Sequence, residues 1–469
     1  MLVLRHNIEL DLFMKKIKQR IASQIKSAFL TLRKILMQYT WWEIIIFVIG
    51  SVSFISVLVV LFLPVGNGPS KFTYSGAVPS SSSPEFIRIL SKSLALPIRQ
   101  GDPIQTLNNG DAFLKSLLAD IDGAHSSIDI MVYIWSDGKM SDQVLEHLDA
   151  KLKQGVQVRI MYDAYGSSTN KPKKQFQIFK DLGGKISVFH SLSIAPWQLL
   201  NNQLRNHRRA IVVDGNIGYT GGMTINDSWL GNASNPKEYR DVMFRTTGPM
   251  AQDIQGAFGE LWTSMTGEVL VGENFYPSET SVPKVDAPVY IPLMSTPSAD
   301  SLALQKFFLL SILGAEHTIY ITTPYFIPDL SLREALIKKA KEGVDVRVLV
   351  PNKLNDSRSV YYASHYSYED LLEGRVKIYE YQPTFIHVKT MVIDSDWSVI
   401  GSANMDNRSR KLNEENIFGV SDKSFGMVLE NIFLGDLSHA QQIDLTEWKK
   451  RSIWQRIREV FDQKFIQQS

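Results

Sequence analysis

The chain has 469 residues, room for two or three domains, and its 50 Lys and Arg against 48 Asp and Glu leave a formal net charge of +2. So even a balance carries no global electrostatic signal for nucleic acid. The chain contains no cysteine, which excludes disulfides, thiolate metal sites and a cysteine nucleophile.

Residues 1–40 form a basic segment with eight Lys and Arg against Glu9 and Asp11. Within 15–36, Ile17, Ile21, Ile25, Phe29, Leu32 and Leu36 recur at helical spacing. That pattern suits a helix lying on anionic headgroups, and equally a solvated cytoplasmic helix. Ile44 to Leu63 is free of charge, and as a helix it measures roughly 30 Å, enough to span a bilayer. Trp41 and Trp42 stand where an aromatic belt lies, and Pro64 ends the run. A cleaved signal peptide would be shorter and nearer the start. Residues 41–65 are therefore expected to be a single transmembrane helix. The basic flank places the N-terminus in the cytoplasm and the body on the outer face of a bacterial cell membrane. Residues 66–100 read as a linker: Asn67 to Pro84, with Ser80-Ser81-Ser82-Ser83-Pro84, has a composition for which no fixed structure is expected.

From Gly101 onward strand-like and helix-like segments alternate. Ala112 to Ile121 is helical, Ser127 to Ile134 a strand, Ser141 to Gln154 a helix stopped by Gly155, and Val156 to Tyr162 a strand. The order returns with a helix at Ser301 to Leu313, a strand at Thr318 to Thr323, a helix at Ser331 to Glu342 stopped by Gly343, and a strand at Val344 to Val350. Gly155-Val-Gln-Val-Arg159 and Gly343-Val-Asp-Val-Arg347 nearly coincide. The chain is an internal duplication, with units at 101–270 and 288–440 joined by a linker at 271–287. A C-terminal segment, 441–469, opens with the capping box Asp444-x-x-Glu447. It continues as a basic amphipathic helix with Leu445, Trp448, Ile453, Ile457, Val460, Phe461 and Phe465 in one stripe. That stripe either touches membrane or covers the second unit.

Each unit carries the same short pattern: His, one residue, a cation, four residues, Asp, six residues, Gly and a small residue. The first is His207, Arg209, Asp214, Gly221-Gly222; the second is His387, Lys389, Asp394, Gly401-Ser402. One match is a common accident, but two with the same extension are not. The apolar runs Ala210–Val213 and Met391–Ile393 read as short buried strands. Alternation along an extended chain puts each His on the same side as the cation two places on. Two imidazoles beside fixed positive charges suit a phosphodiester: one attacks phosphorus and the other protonates the leaving alcohol. Packing about a pseudo-twofold axis would bring the two histidines into one site.

The paired motifs resemble the HKD motifs of the phospholipase D superfamily, and the flanking sequence resembles its bacterial cardiolipin synthase branch. The likeness runs over roughly 100–450. It takes in Asn109-Gly110-Asp111, Tyr133-Ile134-Trp135, Tyr239-Arg240-Asp241, Thr323-Pro324-Tyr325-Phe326-Ile327-Pro328 and Leu412-Asn413 with Glu415. The resemblance implies an α/β fold of two phospholipase D-like α/β/α sandwich units sharing one active site, preceded here by the transmembrane helix. It implies no metal and no cofactor. The reaction implied is transphosphatidylation on phospholipids at a membrane, two phosphatidylglycerols giving cardiolipin and glycerol. It assigns His207 as nucleophile and His387 as general acid/base, and it sets Arg209, Lys389, Asn404, Thr224 and Ser402 at the phosphate. Asp241 and Glu415 fall where carboxylates hold the far ring nitrogen of each His. Asp214 and Asp394 complete the catalytic motif as supports rather than proton carriers. Two positions depart from the pattern: Arg209 stands for Lys, and Thr224 for Asn. Arginine keeps the charge in a planar fork, and threonine donates one hydrogen bond with shorter reach.

Water as acceptor would make the chain a phospholipase D. The superfamily also includes nucleases, but Lys171, Lys173, Lys174, Arg205, Arg208 and Arg209 make a modest basic patch, and no nucleic acid partner is expected. Ser191 to Leu200 reads as an apolar lip for acyl chains or an ordinary packed loop. A non-catalytic envelope scaffold is the remaining alternative, and the oligomeric state is not legible.

Overall fold

The structure is a computed structural model that describes residues 23, 40–62, 71–167, 175–191, 203–278, 287–297 and 302–468. The expected helix at 15–36 (residue 23 apart), the lip at 192–200 and the lysines at 171, 173 and 174 lie outside the described residues, as do residues 279–286 of the joint at 271–287. Two compact units are present, Met1–Pro64 and Val65–Ser469.

In the first unit one α-helix covers Trp41–Phe62. Among the described residues no helix is long and apolar enough to cross a membrane. The run expected to do so, Ile44–Leu63, extends past them.

The second unit contains both halves of the duplication. Its strands are β1 (Arg99–Gln100), β2 (Gln105–Asn108), β3 (Ser127–Val132), β4 (Gln157–Asp163), β5 (Lys185–Phe189), β6 (Arg205–Asn206), β7 (Ala210–Val213), β8 (Ile217–Gly221) and β9 (Val242–Thr247). The second half adds β10 (Val289–Ser295), β11 (Thr318–Thr322), β12 (Asp345–Pro351), β13 (Lys377–Tyr381), β14 (Thr390–Ile393), β15 (Trp397–Gly401), β16 (Asn413–Ser421) and β17 (Ala440–Gln442). One sheet runs β2-β9-β8-β7-β3-β4-β5. The other runs β10-β16-β15-β14-β11-β12-β13, extended by β1 and β17 at its edges. The two orders correspond strand for strand, so the repetition seen in sequence is a repetition of topology. β3, β4 and β5 are parallel, as are β11, β12 and β13, and each parallel pair is spanned by a helix, such as Lys139–Lys153 or Leu330–Lys341.

Alternation along these strands divides the interior into three cores. Ile211 and Val213 of β7 face the first half's own helices, while Ala210 and Val212 face the other way. Met391 and Ile393 of β14 pack in the second half's own core, and Val392 in the shared one. The shared core joins Met131, Val212 and Phe244 of one half to Tyr320, Val392 and Phe418 of the other, with Phe258 and Phe433 from helices Pro249–Thr266 and Lys423–Leu437. Both sheets are thereby covered on two faces, and β3, β7, β15 and β16 are buried almost throughout.

Two expectations need correction. Lys71–Gln100 is structured rather than a free linker. Ser83 caps helix Pro84–Leu94 by accepting from Phe86 N at 3.2 Å, with Pro84 in the first turn. Phe86 and Leu90 are buried in the second half's core, each contributing about 2 kcal/mol. Ser81 N donates to the Gly314 carbonyl, and Lys71 pairs with Glu334 at 2.8 Å. The serine run reads as low complexity, but its last member is a helix cap. The C-terminal segment is likewise not one helix: Leu445–Lys449 and Ile453–Gln468 are separate, the first capped by Asp444.

Candidate active site

Each motif histidine lies just before a short strand, β7 or β14, and is fixed by a backbone pairing with the other half. Arg205 and Asn206 of β6 pair in parallel with Asn413 and Glu414 of β16, and His207 N donates to the Glu414 carbonyl at 2.9 Å. Reciprocally, Arg240 bridges Ile386, and His387 N donates to the Arg240 carbonyl at 2.7 Å. The chain neighbour of each pairing residue is a carboxylate, Glu415 in one case and Asp241 in the other. The side-chain contacts therefore cross between halves. His207 Nδ1 lies 3.1 Å from Glu415, and His387 Nδ1 lies 2.8 Å from Asp241.

The motif glycines permit this crossing. Gly221 and Gly401 sit at φ of +145° and +140°, and a Cβ there would come within 2.8 Å of the Val242 carbonyl or 2.2 Å of the Asn416 carbonyl. The strands that follow Asp241 and Glu415 pass through that space. The next position holds the carboxylate itself. Ser402 Oγ donates to Glu415 and accepts from Asn416 N at 2.9 Å. Gly222 leaves room beside Asp241, which instead accepts from Trp229 Nε1 at 2.9 Å and Val242 N at 2.8 Å.

An ionised carboxylate on Nδ1 makes that nitrogen the donor and leaves the lone pair on Nε2. Lys389 Nζ lies 3.0 Å from both ring nitrogens and from the carbonyl oxygen of His387. Because Nδ1 donates to Asp241, it is Nε2 that can accept from the ammonium. Arg209 donates to the His207 carbonyl and stands over the Tyr133 ring at 5.8 Å. Tyr133 also packs edge-on against His207, as Trp229 does against His387.

The side chains of His207 and His387 are 8% and 6% exposed, so desolvation dominates the electrostatics. Burial, reinforced by Arg209 and Lys389, holds the His207 imidazole well below its ordinary value. Burial and Lys389 bring His387 down to about 3. The same two cations act on both rings, which places the rings in one field. Burial also lowers Lys389 to about 7 and raises Glu415 to about 7. For Asp241 burial works upward, but His387, Lys389 and Trp229 outweigh it and its carboxyl stays below the usual range.

Three expected site residues sit elsewhere, and a fourth, Ser402, stays in the site on the carboxylate that holds His207. Asp214 accepts from the backbone N–H groups of His125, Ser126 and Ser127 at 2.7–3.0 Å, and Asp394 from those of Glu316, His317 and Thr318 at 2.6–2.8 Å. Both lie in the turns beyond β7 and β14, at the far end from the histidines, and tie those turns to β3 and β11. Their place in the motif is architectural. Thr224 is not at a phosphate either: its hydroxyl donates to the Ile134 carbonyl and accepts from Ile134 N at 2.9 Å. Ser402 is spent on Glu415. Asn404 differs, because its buried side-chain carbonyl oxygen has no hydrogen-bond partner.

Residues without an assigned role also shape the site. Asn416 accepts from Arg209 N at 3.2 Å and donates to its carbonyl at 2.9 Å, fixing the cation from the opposite half. Asn416 closes the polar stretch that opens β16, and nothing in its spacing marked it out. Trp229 left no signal of its own either. Among the described residues no cluster of three or more His, Asp or Glu is arranged to hold a metal ion.

Two repeated α/β halves with crosswise His–carboxylate pairs and an Arg and a Lys at the rings define a two-histidine phosphodiester-transfer enzyme. A family model described as "Cardiolipin synthase, PLD-like domain" matches residues 117–262 and 309–437. The cardiolipin synthase of Listeria monocytogenes serotype 4a (strain HCC23) is 33% identical over 366 residues, covering 77% of this chain and 74% of its own. Cardiolipin synthase 2 of Bacillus anthracis is 33% identical over 373 residues, 79% of this chain and 71% of its own. The chain belongs to this family, the cardiolipin synthase branch of the phospholipase D superfamily. A solved phosphatidylserine synthase from Haemophilus influenzae Rd KW20 shares the fold, with a TM-score of 0.61 and 15% identity over 77% of this chain and 92% of its own.

Proposed function

We propose that the protein is a membrane-anchored phosphatidyltransferase that joins two phosphatidylglycerols into cardiolipin, releasing glycerol. The observation that carries this reading is the crossed pairing of His207 with Glu415 and His387 with Asp241, which directs both Nε2 atoms away from their carboxylates. His207 Nε2 attacks the phosphorus of the first lipid, and the P–O bond to its glycerol breaks. The departing oxygen takes a proton from His387 Nε2. The phosphodiester's negative charge offsets Arg209 and Lys389, the cations that hold His387 neutral in the empty site, so His387 carries that proton only with substrate bound. The hydroxyl of the second lipid then gives its proton to His387 and attacks the phosphatidyl-histidine, and the P–N bond breaks to regenerate His207. Arg209 and Lys389 stand at the reacting group and contact its phosphoryl oxygens, with Asn404 buried beside the second motif.

The anchor is assigned to Trp41–Phe62 and the uncharged run through Leu63, with the N-terminus cytoplasmic, on the strength of the basic flank. Alkaline phosphatase fused after Ser469 tests the orientation: activity in intact cells supports it, and its absence overturns it. Against a nuclease reading, Arg205, Arg208 and Arg209 are all buried, and Arg208 is held by Glu260 and Glu414 at 2.7 and 2.9 Å, so these three arginines do not form an exposed stripe for a phosphate backbone. Mass spectrometry of lipids after incubation with phosphatidylglycerol tests the whole proposal. Cardiolipin with glycerol is expected. Phosphatidic acid alone would make the enzyme a phospholipase D.

A further inference from the structure

The C-terminal helix Ile453–Gln468 is inside out. Its two carboxylates turn toward the body: Glu459 is buried against Arg451 at 3.0 Å, and Asp462 is buried and receives Arg458 at 3.2 Å. Ile466 packs inward with Ile327, Val360 and Ala363, but the other large apolar side chains turn outward, with Ile453, Trp454, Ile457 and Phe465 exposed to 65%, 76%, 52% and 45%, and Val460 and Phe461 also exposed. Spacing of 453, 457, 461 and 465 keeps them on one face. Arg458 is exposed on the same helix, stacked on Tyr362 at 3.9 Å, and Lys449 and Lys450, exposed just before its first turn, pair with Glu373 and Glu447, each at 2.6 Å. Among its described residues the helix exposes no carboxylate. A helix made to face water would have the reverse arrangement.

Between Phe461 and Phe465, Gln463 turns to line a cavity of about 340 Å³ whose wall also includes Asn404, Met405, Phe308 and Arg410. Asn404 follows the second motif. The outward apolar face therefore stands beside a cavity that reaches Asn404.

We propose that the exposed face of Ile453–Gln468 seats on an anionic lipid surface. Ile453, Trp454, Ile457, Phe461 and Phe465 enter the interfacial layer, and Arg458 and the preceding lysines meet headgroups. This holds the cavity at headgroup level, where a lipid reaches Asn404 without leaving the bilayer. The helix itself exposes Arg458 and no carboxylate, so a second copy set against it across a twofold axis would bring like charges together. The proposal rests on the lipid-substrate reading above.

The cysteine-free sequence allows a direct test on the full chain. Ile457→Cys, labelled with a polarity-sensitive nitrobenzoxadiazole, is reconstituted in vesicles of phosphatidylglycerol with phosphatidylcholine, and in phosphatidylcholine alone. The expected result is a blue-shifted emission in the anionic vesicles, quenched by lipid-borne nitroxide and not by aqueous iodide. Trp454→Glu with Phe461→Glu should abolish that shift. The same pair should lower turnover of vesicle phosphatidylglycerol by more than about tenfold, leaving turnover of monomeric short-chain phosphatidylglycerol within roughly twofold. That second substrate also shows whether the variant folds. A label open to iodide in anionic vesicles would overturn the proposal. So would a label shielded from both quenchers whose thiol cross-links two copies, because the face would then be a protein contact. Should the wild-type chain turn over neither substrate, the lipid reading fails, and the label still decides the docking.

Discussion

Replacing Asp241 by Asn probes the crossed pairing. The carboxylate accepts from His387 Nδ1, Trp229 Nε1 and Val242 N, all within 2.9 Å. An amide of the same shape removes the charge and presents an N–H₂ group to one of these donors, so the ring loses both its electrostatic partner and its enforced tautomer. With charge centres about 4 Å apart and an effective dielectric near 20, the lost interaction with a protonated His387 is about 4 kcal/mol. At 1.36 kcal/mol per decade that is roughly a thousandfold in any step that needs the imidazolium. The assay compares phosphatidylglycerol with a phosphatidyl ester of p-nitrophenol. The nitrophenolate leaves without a proton, so the first step should recover in Asp241→Asn. The second step still needs His387 as base, so labelled phosphatidyl-enzyme should accumulate on His207 and be trapped by an acid quench. A loss under about tenfold on phosphatidylglycerol, or label mapped to His387, would refute the reasoning.

The dependence of kcat/KM on pH should be a narrow bell. As pH falls through about 7, Glu415 gains a proton, can no longer hold Nδ1 of His207 as a donor, and activity is lost; as pH rises through about 7, Lys389 loses its charge and activity is lost again. Glu415→Gln should flatten the acid limb and Lys389→Arg should move the alkaline limb upward, whereas a profile flat from about pH 5 to 9 would exclude both assignments. Thr224→Val should cost about 1–3 kcal/mol in denaturant unfolding, by leaving the Ile134 N–H unpaired, with kcat within roughly twofold. A selective rise in KM without loss of stability would return Thr224 to the phosphate. Asp214→Asn should likewise lower stability by about 2 kcal/mol and leave turnover per folded molecule nearly unchanged, read by denaturant melts beside kcat.

Much was fixed before folding. Period-two apolar runs and glycine helix stops marked the elements of both halves. A His and a cation two places apart share a face in any extended segment, and repetition of the pattern implied two equivalent frames. Those are local properties, set by backbone geometry and composition. Which carboxylate meets which histidine is not local. It depends on β6 lying against β16 and on Arg240 lying against Ile386, contacts between segments far apart in the chain that no spacing rule encodes. The same is true of the motif Asp and Thr positions. Asp214 and Thr224 have the chemistry to serve a phosphate, but three backbone donors claim the one and a strand end claims the other. At the C-terminus, the sequence showed an apolar stripe, and only packing decided which side of the helix faced the body. The inward side went to Glu459 and Asp462, since Arg451 and Arg458 offer charges that a carboxylate can pair with out of water and a phenyl ring cannot.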